Sequence, residues 1–250
     1  MNLEGKSAIV TGAGSGVGRA IALEFARNGA DVLISDINES AAKEVAEELE
    51  RLGKKGIGVK SDVSNEKEVS EMFGIALEEL GKVDILVCNA GNSAPAMLHK
   101  MPIEKWEAVI NVHLKGTFLC MREAAKHMIE RKQGRIICTV SVAGIQGSIG
   151  QPNYAAAKGG IIALVKSAAK ELSRHNILVN AVSLGVVETA MTTKILSDEK
   201  LKELTLSRTL LRRVFKPEEV APIFAFLASD SANSIQGQVI AADGGIVGLG

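Results

Sequence analysis

The chain has 250 residues, 46% of them hydrophobic, which is enough to bury a sizeable core and fits one α/β domain better than two small ones. Its 29 basic and 29 acidic side chains cancel, so there is no net field to gather nucleic acid or an anionic membrane. No segment offers the roughly 18 uncharged apolar residues of a membrane span, and MNLEGK enters the first strand without a signal-peptide core, so the expected location is cytoplasmic.

An apolar run over 6–11 meets Gly12, Ala13, Gly14, Ser15, Gly16, Val17 and Gly18, after which Ile21, Ala22 and Phe25 recur at helical spacing. This reads as strand, glycine turn, helix. A strand at 31–36, an amphipathic helix at 39–52, a strand at 56–60 and a helix at 65–80 follow, the last with Ser64 or Asn65 placed to cap it. The fourth strand, 83–88, ends in Asn89, Ala90 and Gly91. Beyond it the pattern predicts one long helix over about 104–131, a strand closing at Ser141, a helix opening near Pro152, and a sixth strand at 177–182. Between 185 and 216 the pattern weakens into one or two short helices, and a substrate lid is expected there. A helix at 217–228 and a strand at 238–242 complete the chain. The alternation predicts an α/β fold: a single-domain, Rossmann-like doubly wound sheet of about seven parallel strands with helices on both faces.

Cys88, Cys120 and Cys138 are widely spaced and form no Cys-x-x-Cys pair, so they read as small core residues, outside any disulfide framework or zinc site. His99, His113, His127 and His175 have no metal-ligand spacing and read as solvated or hydrogen-bonded helix residues, and no metal is expected.

In such a sheet the first strand-to-helix turn holds a dinucleotide pyrophosphate. Gly12 permits the tight exit from the strand, Gly16 lets backbone amides approach phosphate, and Gly18 lets the helix pack on the sheet, although an ordinary glycine-rich turn has the same composition. Asp36 ends the second strand 18 positions after Gly18 (36 minus 18), near the ~20 expected of a carboxylate that binds ribose hydroxyls. It would repel a 2′-phosphate, and neither Ile37, Asn38 nor Ser15 supplies a cation, so NAD(H) is expected over NADP(H). The alternative is that Asp36 caps the following helix. Asp62 and Val63 are placed for the adenine, and Asn89 to Gly91 for the nicotinamide ribose.

Ser141 closes an apolar strand, and Tyr154 and Lys158 share one helix face four residues apart, so a hydroxyl, a phenol and an ammonium can meet. The lysine is expected to lower the phenol's pKa. Such a group pairs a proton donor with a hydrogen-bond donor.

Thr11-Gly-x-x-x-Gly-x-Gly18, Asp62, Asn89-Ala-Gly91, Asn111, Ser141, Tyr154-x-x-x-Lys158, Asn180 and Asp243-Gly-Gly245 resemble, in order, the short-chain dehydrogenase/reductase family. MNLEGK, QPNYAAAKGG and PEEVAPIFAFLASD are most similar to its 3-oxoacyl-acyl-carrier-protein reductases. The resemblance implies a catalytic tetrad of Asn111, Ser141, Tyr154 and Lys158, with Lys158 also on the nicotinamide ribose, Asn111 linking it to a proton-relaying water, and Gly185, Val187 and Thr189 at the carboxamide. A substrate pocket of Ser93, Val142, Gln146, Gln151, Val186 and Met191 is expected above Tyr154. Leu184 stands where proline is usual, which is expected to loosen the nicotinamide loop.

The reaction expected is hydride transfer between nicotinamide and a ketone or secondary alcohol, with a 3-oxoacyl thioester as substrate. An acyl carrier protein would then land on basic residues such as Lys126, Arg131, Lys132, Arg135 and Arg174. An NAD-dependent dehydrogenase of a small or cyclic alcohol is the alternative, and a non-catalytic dinucleotide-binding regulator a third reading. Apolar residues on several faces of two helices (Val109, Leu114, Phe118, Leu119; Ile161, Ile162, Leu164, Val165) and an apolar tail over 244–250 suggest an interface. The resemblance implies a homotetramer.

Overall fold

The computed structural model describes residues 1–247, apart from the side chains of residues 194 and 195. Strand β1 (Ser7–Thr11) leads through the glycine turn into helix α1 (Gly16–Arg27), followed by β2 (Asp31–Asp36), α2 (Glu39–Arg51), β3 (Gly56–Lys60), α3 (Glu66–Leu80) and β4 (Ile85–Cys88). The second half contains α4 (Ile103–Ile110), α5 (Gly116–Arg131), β5 (Gly134–Ser141), α6 (Ala143–Gln146), α7 (Pro152–Leu172) and β6 (Ile177–Leu184). Helices α8 (Thr193–Leu196), α9 (Glu199–Leu206) and α10 (Pro217–Ala228) precede β7 (Val239–Ala242).

All strands lie parallel in the order β3-β2-β1-β4-β5-β6-β7. The order reverses between β1 and β4, which opens a crevice at their carboxyl ends where a ligand is expected to bind. Strand alternation divides the core: Val10 and Ile34 pack with Phe25, Leu49 and Phe224 on one face, whereas Ile9 and Leu33 pack with Phe73, Leu119 and Ile161 on the other. Cys88, Cys120 and Cys138 are buried in this second layer.

Four local expectations change. The long helix over 104–131 is interrupted: Asn111–Lys115 is a π-helical segment in which the Gly116 N–H reaches back to the Asn111 carbonyl. The loop after Ser141 contains the single turn α6. Strand β6 runs two residues beyond its expected end, with Leu184 aligned between Ser141 and Ala242. A proline there would lack the N–H of a ladder residue, and Leu184 continues the sheet to its last register position. Finally, Val109, Leu119, Ile161 and Val165 are buried within the single chain and offer nothing to an interface, while Phe118 remains 44% exposed. Of the tail, residues 248–250 lie outside the described residues. No described helix is long and apolar enough to cross a membrane.

The crevice floor is stitched across the reversal. The Asn89 side-chain amide donates to the Thr11 and Gly12 carbonyls, each at 3.1 Å, and the Thr11 hydroxyl accepts from the Asn89 and Ala90 N–H groups. Gly18 sits under this stitch, and a Cβ there would collide with the Gly12 carbonyl and lie 2.6 Å from Asn89 Nδ2. Gly18→Ala should therefore lower stability by about 1–3 kcal/mol and weaken dinucleotide affinity together; urea denaturation and a cofactor titration measure the two effects.

Candidate active site

A cavity of about 530 Å³ lies along the carboxyl ends of the strands, lined at one end by Gly12, Ser15, Gly16, Val17, Asp36 and Ile37. Its middle is lined by Asp62, Val63, Asn89, Ala90 and Gly91, and its far end by Ser141, Tyr154, Lys158, Gly185, Val187 and Thr189. All the expected dinucleotide residues thus meet here except Gly18, which packs beneath the turn. Gly12 has φ +61, and a Cβ on it would lie 2.7 Å from the Ala90 Cα. Gly185 passes as closely to the Asp243 backbone.

The cavity fits a dinucleotide on its own chemistry. The first N–H groups of α1 open at its edge with no acidic residue in the first turn, and Ser15 makes no side-chain cap, so the helix end is free to take an anion. Asp36 does not cap α2; Asn38 does, accepting from the Ala41 N–H. The Asp36 carboxylate instead accepts from the Gly14 N–H at 2.9 Å and the Asn38 N–H at 3.0 Å, which fixes it in the cavity wall.

Tyr154 and Lys158 project from α7 toward Ser141 at the end of β5. The Ser141 hydroxyl accepts from the Ala143 N–H at 3.3 Å and lies beside the phenol, close enough to bias its protonation. Lys158 is buried, donates to the Thr139 carbonyl at 2.7 Å, and places Nζ 5.6 Å from the centre of the Tyr154 ring. The sense of the phenol's shift is opposite to expectation. Burial raises it, and the neighbouring Ser141 hydroxyl opposes that only in part. Burial also pushes the Lys158 ammonium down to about 8, so in the protein alone this lysine is a weaker cation than its sequence suggests.

Asn111 does not join this group. It is exposed and does not line the cavity, and it is the first residue of the π-helical segment. His113 enters in its place. It is buried, its ring stands edge to face with Tyr154 at 5.1 Å and 88°, and its Nε2 lies 3.0 Å from the Asn92 nitrogen and 2.9 Å from the Asn92 oxygen. Burial, then the nearby Lys158 charge, push His113 down to about 3, with the Asn92 backbone acting against them. The only sequence signal was its setting: an imidazole between Val112 and Leu114 in an otherwise apolar helical stretch.

The family described as enoyl-(acyl carrier protein) reductase matches residues 12–247. The 3-oxoacyl-[acyl-carrier-protein] reductase of Thermotoga maritima is 44% identical over 247 residues, covering 99% of this chain and 100% of its own. A short-chain type dehydrogenase/reductase from Mycobacterium marinum is 33% identical with a TM-score of 0.92, over 98% of this chain and 97% of that one. The chain belongs to the short-chain dehydrogenase/reductase family. It is an oxidoreductase acting on the carbon–oxygen centre of a ketone or secondary alcohol with a dinucleotide. A further structural relative, a 7 alpha-hydroxysteroid dehydrogenase complexed with NADH and 7-oxo glycochenodeoxycholic acid, is 33% identical with a TM-score of 0.94, over 100% of this chain and 97% of its own.

Only part of the expected substrate wall reaches this cavity. Met191 lines the cavity; Ser93, Val142, Gln146, Gln151 and Val186 do not. Gln146 donates its amide to the Ile246 carbonyl, Gln151 accepts from the Ser148 hydroxyl, and the Val186 carbonyl accepts from the Phe215 N–H, so their polar groups are committed elsewhere. Thr192 supplies order that sequence reading missed, accepting from the Thr189 N–H at 3.0 Å and donating to the Val187 carbonyl at 2.7 Å.

A histidine held neutral at acid pH makes the folded protein bind fewer protons than the unfolded chain between about 6.5 and about 3. The stability present above 6.5 is lost as pH falls through that window. His113→Gln, which cannot titrate, should show a shallower loss there than the unsubstituted protein when unfolding free energy is followed by urea titration at several pH values.

Proposed function

We propose that this chain is an NAD(H)-dependent reductase of 3-oxoacyl thioesters carried on an acyl carrier protein. The observation that carries the reaction is the meeting of Ser141, Tyr154 and Lys158 at the end of a dinucleotide-shaped cavity, with Lys158 Nζ 5.6 Å from the centre of the Tyr154 ring. The substrate class rests on full-length likeness to reductases of Thermotoga maritima and of a Synechocystis strain, the latter 40% identical over 98% of both chains.

A bound nicotinamide dinucleotide would supply the hydride. The chain's own residues do the rest. The Ser141 hydroxyl and the Tyr154 phenol converge on the ketone oxygen; as charge builds there, the phenol gives up its proton and Ser141 stabilises the oxygen by a hydrogen bond. A raised phenol pKa keeps that proton in place at neutral pH until the oxygen becomes basic enough to take it. The Lys158 ammonium stabilises the phenolate that remains, and α1 with Gly12 to Gly16 would hold the pyrophosphate.

Asp36 supports NAD over NADP, since its carboxylate is fixed in the cavity wall where a 2′-phosphate would meet it. Lys60 aligns with Asp36 on the neighbouring strand, but it is exposed and does not line the cavity. Among the proposed carrier-binding cations, Lys126 pairs with Glu123, Arg131 with Asp84 and Arg135 with Asp230, so these three contribute less free charge than their sequence implies, whereas Arg174 donates to a His175 ring nitrogen, which removes none. The alternative, a small- or cyclic-alcohol dehydrogenase, is favoured by the steroid-dehydrogenase likeness and by a xylitol dehydrogenase solved with NAD+, 28% identical with a TM-score of 0.93. A homotetramer is proposed from exposed Phe118 and Ile103 on the helices flanking the π segment.

Turnover of acetoacetyl thioesters, cyclic ketones and small diketones with NADH and NADPH tests the reading. We expect thioester reduction with NADH preferred, and a loss of about 10²–10⁴-fold in Tyr154→Phe with dinucleotide binding retained. Preference for NADPH would remove the Asp36 argument, activity confined to cyclic ketones would favour the alternative, and an active Tyr154→Phe would end the mechanism.

A further inference from the structure

The π-helical segment between α4 and α5 costs the chain regular helix hydrogen bonds, and such bulges concentrate at functional sites. What it delivers is His113. The imidazole is 2% exposed, lies edge to face with Tyr154, and stands near enough to Lys158 to feel its charge. Gly91 makes the room: a Cβ there would collide with His113 Cε1 and lie 3.1 Å from both ring nitrogens. Gly91 therefore serves the imidazole as well as the cofactor bed.

The hydrogen bonding of the ring is unusual in one respect. Nε2 faces both the N–H and the carbonyl of Asn92, at 3.0 and 2.9 Å. A neutral imidazole makes one of these bonds at a time, accepting from the N–H in one tautomer and donating to the carbonyl in the other. The anchor thus survives a change of tautomer without movement of the ring. Nδ1 meanwhile is buried with no hydrogen-bond partner among the described residues, an unfavourable arrangement that calls for a functional reason.

We infer that His113 is a positioning residue for carbonyl reduction: anchored at Nε2 to the Asn92 backbone in either tautomer, it sets the plane in which the Tyr154 phenol meets Ser141. It acts as a neutral donor and acceptor. The titratable groups that face it are Tyr154 and Lys158, and a second positive charge beside that ammonium would be strongly disfavoured. The inference rests on the reductase reading above.

Three substitutions separate this role from packing. Gln offers a donor and an acceptor near the Nε2 position, Leu fills similar space without either, and Phe keeps a ring but no hydrogen bond. We expect His113→Leu and His113→Phe to lose about 100-fold in kcat, with KM and dinucleotide Kd little changed, since a small misplacement of a catalytic group has that effect. His113→Gln should recover most of the loss. If the Leu variant fails to fold, judged by dinucleotide binding, the Phe variant carries the same comparison. Phe as active as the unsubstituted enzyme would overturn the inference, as would Gln as poor as Leu. Absence of turnover by the unsubstituted enzyme on every ketone would instead overturn the reductase reading.

Discussion

A buried ammonium beside a phenol is the constraint on which this structure turns. Lys158 lies 3% exposed at the end of the sheet, and its ordinary pKa of 10.5 falls to about 8, so keeping it charged costs on the order of 3 kcal/mol relative to water. The Thr139 carbonyl is its direct hydrogen-bond partner, which ties the ammonium to β5 and so to Ser141 two residues along. Helix α7 places Tyr154 one turn away. The single turn α6 then packs so closely on the Lys158 backbone that only glycine fits at Gly144, where a Cβ would lie 2.7 Å from the Lys158 carbonyl carbon. Strand, turn and helix are thereby locked around two side chains.

This arrangement changes the role of the phenol in the protein alone. Burial dominates, and Tyr154 is held as a proton donor. The charge that would favour the phenolate must come from Lys158 and from whatever the cavity binds. On the proposed mechanism catalytic power would be divided between the β5–α7 half and the dinucleotide bed, which meet where Asn89 stitches β1 to β4 and where the Thr139 hydroxyl donates to Asn89 Oδ1 at 3.2 Å.

Much of this was legible in the sequence because it is periodic. Apolar strands alternating with amphipathic helices specify a parallel sheet, the glycines at 12, 16 and 18 specify its first turn, and the four-residue step from Tyr154 to Lys158 specifies a shared face. What was not legible breaks that periodicity. Nothing in the helical pattern from 104 to 131 marks the π segment; Asn111 was expected from the resemblance alone, and His113 read as an ordinary helix residue. The substrate wall was missed for a related reason: Gln146 and Gln151 are close to the site in sequence, but their amides are used by Ile246 and Ser148, contacts that only tertiary structure makes. The sign of the tyrosine shift also required burial, which a residue pair four apart cannot report.

The chain contains a single tyrosine, so its tyrosinate absorbance reports Tyr154 alone. An alkaline spectroscopic titration of the protein without dinucleotide is the most direct test of the account. Burial in this wall predicts a midpoint above the ordinary value of 10.0. A midpoint below it would show that the lysine charge outweighs desolvation, and would contradict the view of Tyr154 as a phenol held protonated until the site is filled.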